Sequence, residues 1–228
     1  MKPLQTYFPF GPPIGHAELP KELVNDFNKG CDDIVKDKEL SKSVDWAHNL
    51  VGQVEQELLI PQDIINKWGK WFAIQVKEYL TGYFNQLFVP GQTIFAASKE
   101  QSLQAVNRIQ VDVKSAWYIR SFAGDYNPIH THTDCELTCV GFLKVPDLSG
   151  ERKKDRINNG VLEIVSNAGS HDKTFYENNR IGFTPKVGNW YLFPANLRHL
   201  VYPFRCDGER RSFSINMNTN MFKRASEK

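Results

Sequence analysis

The chain has 228 residues, 41% hydrophobic and 12% aromatic, which is enough apolar side chain for one substantial core and argues against intrinsic disorder. Its 28 Lys and Arg against 26 Asp and Glu leave a net charge of +2, too small a field to favour a nucleic-acid backbone. The four cysteines (Cys31, Cys135, Cys139, Cys206) have no CxxC spacing, and neither a secretory leader nor a run of ~18 apolar residues is present, so reduced thiols, a cytoplasmic location and no membrane partner are expected.

Residues 1–19 are rich in Pro and Gly and read as an extended lead-in with a turn at "FGPPIG". A helix is predicted from Pro20 to about Val35, because proline suits a first helical turn and Leu23, Phe27, Ile34 and Val35 fall near one stripe. Ser41 to Glu57 reads as irregular. A stronger helix is predicted from Pro61 to about Phe84, where Ile65, Trp68, Phe72, Val76, Tyr79, Leu80 and Tyr83 recur at steps of three and four. That stripe is expected to pack on a sheet.

After "VPGQ" (Val89 to Gln92) the pattern turns to short apolar runs separated by turn residues. Strands are predicted at Arg108–Ser121, Leu137–Val145, Gly160–Val165, Ile181–Thr184, Trp190–Phe193, Leu200–Phe204 and Arg211–Asn218. With no helix between them, they point to antiparallel sheets packed as a sandwich or jelly roll. The chain thus reads as a single α+β domain over 1–228, with a helical part at 1–90 packed on one sheet and a β core at 91–222. The basic loop at 149–159 is expected to be solvated, with a lid as the functional alternative.

Three metal-capable side chains, His130, His132 and Asp134, alternate in "NPIHTHTDCELT". Alternate residues of an extended chain face one way, so they can converge on one ion with the distant His199 of "FPANLRH". Two histidines and one carboxylate leave three open positions on an octahedral iron(II), enough for a chelating cosubstrate and oxygen. His132, Asp134 and His199 are the expected ligands, because a carboxylate lowers the charge of the site, and His130 is the alternative. A zinc site drawing on Cys135 or Cys139 is disfavoured by the lack of a repeating thiolate spacing.

In "GERRSFSINMN" the alternation puts Arg210, Ser212, Ser214 and Asn216 on one strand face and Arg211, Phe213, Ile215 and Met217 on the other. The second set is apolar after its first member and is expected to face helices. The polar set then looks into the barrel, where a buried guanidinium needs an anion. A small dicarboxylate fits, one end on the metal and the other on Arg210, with the Ser212 hydroxyl adding a bond.

His-x-Asp, a distant His and Arg-x-Ser resemble the iron(II)- and 2-oxoglutarate-dependent oxygenases with the double-stranded β-helix fold. "FGPPIGHAELP", "WYIRSFAGDYNPIHTH", "VGNWYLFPANLRH" and "RRSFSIN" are similar to the phage and marine-bacterial group of 2OG-Fe(II) oxygenases. The resemblance implies Fe(II), 2-oxoglutarate, O2 and a supporting role for ascorbate. It implies a dioxygenase that hydroxylates a C–H bond and releases succinate and CO2, in a host cytoplasm if phage-encoded. Relatives commonly carry an HxH pair where the residue matching Asp134 is not acidic, which favours His130. Tyr118 and Tyr126 are expected to line the cosubstrate pocket. A prolyl residue or a small molecule is the expected substrate; near-neutral charge disfavours an alkylated nucleobase, and the N-terminal helices offer a homodimer surface. A cupin-like protein that binds metal and a small molecule without catalysis is the competing reading, and Arg210-x-Ser212 argues against it.

Overall fold

The computed structural model describes residues 11–88, 98–148, 159–166 and 180–221; the basic loop, apart from Asn159, lies outside them. Two predicted helices are present as α1 (Lys21–Lys36) and, after the short α2 (Lys38–Ser43), α3 (Gln62–Leu87). Leu23, Val24, Phe27, Cys31 and Ile34 are the buried stripe of α1, and Ile65, Phe72, Val76, Leu80 and Phe84 that of α3. A fourth helix, α4 (Lys99–Asn107), starts at Ser98 with a capping box: the Gln101 amide donates to Ser98 Oγ, and the Ser98 amide donates to Gln101 Oε1. The S-x-x-Q signature was present in the sequence, but the short segment has only a weak apolar stripe.

Among the described residues ten strands form two sheets. They are β1 (Gly15–Glu18), β2 (Gln56–Leu59), β3 (Val111–Ser121), β4 (Asn127–His130), β5 (Leu137–Lys144), β6 (Leu162–Val165), β7 (Arg180–Phe183), β8 (Asn189–Pro194), β9 (Arg198–Val201) and β10 (Arg210–Thr219). The six-stranded sheet runs β1-β8-β5-β10-β3-β2 and the four-stranded sheet β4-β9-β6-β7, with all pairs antiparallel. The first 90 residues are therefore not simply helical. β1 and β2 lie in that part and form the two edges of the larger sheet, and β2 occupies the end of the stretch read as irregular. Their pairing with β8 and β3 is what makes them strands.

The larger sheet has two different faces. Leu58, Tyr118, Cys139, Leu143, Trp190, Leu192, Phe213, Ile215 and Met217 join the buried stripes of α1 and α3 in the main core. Phe27 of α1 sits 4.7 Å from the Phe213 ring and 6.1 Å from Tyr118. Close approach requires Gly141, because a Cβ there would fall on the Phe213 ring. Arg211 also points to the helices. Its guanidinium donates to Asp32 Oδ1 (2.7 Å), to Asn28 O and Oδ1 (3.1 Å each) and to Glu209 Oε1 (2.7 Å), which ties β10 to α1. The opposite face looks toward the smaller sheet across a second apolar cluster of Val140, Phe142, Leu162, Ile164, Tyr191, Phe193 and Leu197.

Candidate active site

The inner face of the larger sheet and the smaller sheet enclose a cavity of about 140 Å3. The strand register determines what points into it. Arg210, Ser212, Ser214 and Asn216 of β10 all line the cavity, with Trp117 and Ile119 of β3 and Val140 of β5. Ser212 is paired with Ile119 on one side and Phe142 on the other, and Ser214 with Trp117 and Val140.

At one end of the cavity, His130, His132 and His199 each present a ring nitrogen within 4.8 Å of the others. β4 and β9 pair His130 directly with His199. The His132 amide donates to Ala195 O (2.8 Å), which anchors the chain just past β4. The second nitrogen of each ring is held. His130 Nδ1 lies 2.7 Å from Pro128 O, His199 Nδ1 2.9 Å from Leu197 O, and His132 Nδ1 2.7 Å from Asn216 Oδ1. A carbonyl oxygen can only accept, so the proton sits on Nδ1 and the Nε2 lone pairs turn to the common point. Burial lowers the pKa of all three, His132 to about 4 and His199 to about 3. They are neutral at pH 7, the form that binds a metal ion. Trp117 stacks on His132 at 5.7 Å, and Phe193 meets His199 edge-on at 4.9 Å.

Arg210 is 1% exposed, and its Nε and Nη2 have no hydrogen-bond partner. Its Cζ lies 5.1 Å from the centre of the Phe142 ring. Burial lowers its pKa to about 10, so the guanidinium stays charged at neutral pH. An orphaned buried cation in a cavity lined by Ser212 and Ser214 fits a carboxylate ligand by charge and by donor count.

The structure separates the remaining sequence-derived candidates. Asp134 is exposed, outside the histidine group, and in the left-handed conformation (φ 58). The turn that it forms leads into β5 and carries its carboxylate away from the two histidines that share its alternation. Tyr118 is not a pocket residue, because its register with Phe213 places it on the helix-facing side against Phe27. Tyr126 is 43% exposed, bridges to Gln53, and does not line the cavity. Cys139 is paired with Ile215 in the main core, and Cys135 lies outside the histidine group, so neither supports a zinc site. Two residues were missed. Asn216 was placed on the inner face but not linked to His132, and Glu57 lay in a stretch read as irregular.

Residues 115–216 match the family described as "Putative 2OG-Fe(II) oxygenase". Two solved structures share the fold. One is a Pseudomonas putida prolyl-4-hydroxylase, 13% identical, with 90% of this chain and 91% of that one covered at a TM-score of 0.51. The other is a Trichoplax adhaerens prolyl hydroxylase in complex with a hypoxia-inducible-factor peptide fragment, 14% identical, with 90% and 83% covered at 0.52. A Burkholderia pseudomallei oxidoreductase of the 2OG-Fe(II) oxygenase family is 16% identical over 74% of this chain but only 64% of its own length, at 0.42. No curated protein sequence matches the chain.

Proposed function

We propose, from the premise that the chain carries a 2OG-Fe(II) oxygenase domain over residues 115–216, that His130, His132 and His199 hold its iron(II) and that Arg210 with Ser212 holds the far carboxylate of 2-oxoglutarate. The observation that supports this reading is the shared cavity, in which three histidine ring nitrogens converge while Nε and Nη2 of the buried Arg210 have no hydrogen-bond partner among the described residues. Imidazole suits iron(II), and a set of three neutral ligands leaves the ion's full positive charge to attract an anionic cosubstrate. When bound, iron(II), 2-oxoglutarate and O2 supply oxidation of a C–H bond with release of succinate and CO2.

The chain's own part is placement. Pro128 O, Leu197 O and Asn216 Oδ1 fix the histidine tautomers. Arg210 orients a carboxylate from the wall, and Val140, Leu162 and Val201 supply apolar lining that limits water around the reacting centre. Hydroxylation of a prolyl residue or of a small molecule is the reaction proposed. The two prolyl hydroxylases support it only as examples of this architecture.

The test is conversion of 2-oxoglutarate to succinate by iron(II)-loaded protein in air without added substrate, with His132→Ala as the control. Succinate from the parent and none from the variant is the expected result. A protein that only stores metal and cosubstrate would bind both and form no succinate.

A further inference from the structure

The cavity wall holds a second orphaned charged group. Glu57, on edge strand β2, is 2% exposed, lines the cavity, and has no hydrogen-bond partner at Oε2. The register runs Glu57, Ile119, Ser212 across β2, β3 and β10, so the three side chains share the inner face. Two strand spacings put Glu57 roughly 10 Å from Ser212, on the side of the cavity away from β5. Burial pushes its pKa up to about 7, and the Asp45 carboxylate adds to the rise. Among the described residues no cation forms an ion pair with it.

The space beside Glu57 is shaped by a glycine. A Cβ on Gly52 would lie 2.8 Å from Glu57 Oε1 and 3.2 Å from Asn127 Oδ1. Two oxygen acceptors therefore lie side by side against Gly52, packed closer than any residue with a Cβ would allow. Asn49 and Val51, both exposed, line the same cavity and put these two acceptors toward its solvent side. An edge strand gains nothing in stability from a buried carboxylate without a partner. A ligand that brings a cation removes that cost.

We propose that Glu57, with the Asn127 side-chain oxygen beside it, is the binding site for a protonated amine on the prime substrate, so that the substrate is a small alkylammonium compound and not an internal prolyl residue. This rests on the reading of the cavity as the oxygenase active site. An ammonium offers three donors, enough for Glu57 Oε2, Glu57 Oε1 and Asn127 Oδ1 together.

The test uses protein loaded with manganese(II) and 2-oxoglutarate and follows the paramagnetic relaxation of probe protons in n-butylamine, putrescine, n-butanol, butyramide and an N-acetylated prolyl tripeptide amide. The two amines should bind about tenfold or more tightly than the uncharged probes, as a charge-assisted contact implies. Glu57→Gln should abolish that preference, and Gly52→Ala, whose Cβ would push the Glu57 carboxylate out of its position, should weaken amine binding. Equal binding of amine and butyramide, an amine preference that survives Glu57→Gln, or selective binding of the prolyl peptide would overturn the proposal while the oxygenase reading stands. Failure of the parent to bind manganese(II) and 2-oxoglutarate overturns both.

Discussion

His132 Nε2 lies 3.2 Å from His199 Nε2, and the two rings are 14° from parallel. With Leu197 O and Asn216 Oδ1 accepting from the opposite nitrogens, two lone pairs face each other across that gap. Such an arrangement is repulsive until a cation enters. His130, whose ring centre is 4.2 Å from that of His199, closes the third side.

The ligand set is tested by removing each candidate. Anaerobic iron(II) titration should show loss of binding by His130→Ala, His132→Ala and His199→Ala, while Asp134→Ala retains the parent's affinity. The exposed carboxylate at position 134 sits outside the group, so loss of iron by Asp134→Ala with retention by His130→Ala would return the site to two histidines and an aspartate.

Adjacent arginines should separate cosubstrate binding from stability. Arg210→Ala removes a buried guanidinium whose Nε and Nη2 have no partner and should weaken 2-oxoglutarate binding by ~1.5–3 kcal/mol, the range of a charge-assisted hydrogen bond. Arg211→Ala removes a buried guanidinium that bonds Glu209, Asp32 and Asn28, while Glu209 keeps Arg120 and Asp32 keeps Lys144, and should cost roughly 1.5–3 kcal/mol of folding stability. Calorimetry with manganese(II) in place of iron gives the first quantity and urea unfolding the second. Equal cosubstrate losses in the two variants would contradict the strand register.

Glu57 makes stability depend on pH in an unusual direction. Its carboxyl binds a proton more tightly folded, near pH 7, than unfolded, near 4.5. The native state therefore holds the extra proton between those values, and stability falls as pH rises through them. Glu57→Gln should be more stable than the parent at pH 8 by about 3 kcal/mol, from ~2.5 pKa units at 1.36 kcal/mol each. At pH 4.5 and below the gain should vanish. Thermal melts of both proteins across pH 4–8 check the sign, and a gain independent of pH would point to a packing effect.

Gly141→Ala places a methyl group on the Phe213 ring. Overpacking of this kind costs about 1–3 kcal/mol, and urea unfolding should record it as a lower midpoint at unchanged slope. A neutral result would mean that α1 and the larger sheet can separate locally, with Phe27 giving way.

The sequence determined those features that depend on periodicity along one element. The apolar stripes of α1 and α3, the inward set of Arg210, Ser212, Ser214 and Asn216, and the outward set ending in Met217 were all legible, because steps of 3.6 and 2 sort side chains onto faces without reference to any neighbour. The joint presence of two histidines near residue 131 and a third near 199 was legible as well. What needed the tertiary structure was whatever depends on a partner strand or a single turn. β1, β2 and β4 lie beside or within segments read as lead-in, irregular chain or turn, and their pairing with β8, β3 and β9 reveals them. The left-handed turn at Asp134 breaks the alternation that put its carboxylate with His130 and His132, while the β4–β9 register brings His130 opposite His199. Tyr118 was misjudged and Glu57 missed for the same physical reason: which face of a sheet is wet, dry or catalytic is decided by what packs across it, and that information is not local to the strand.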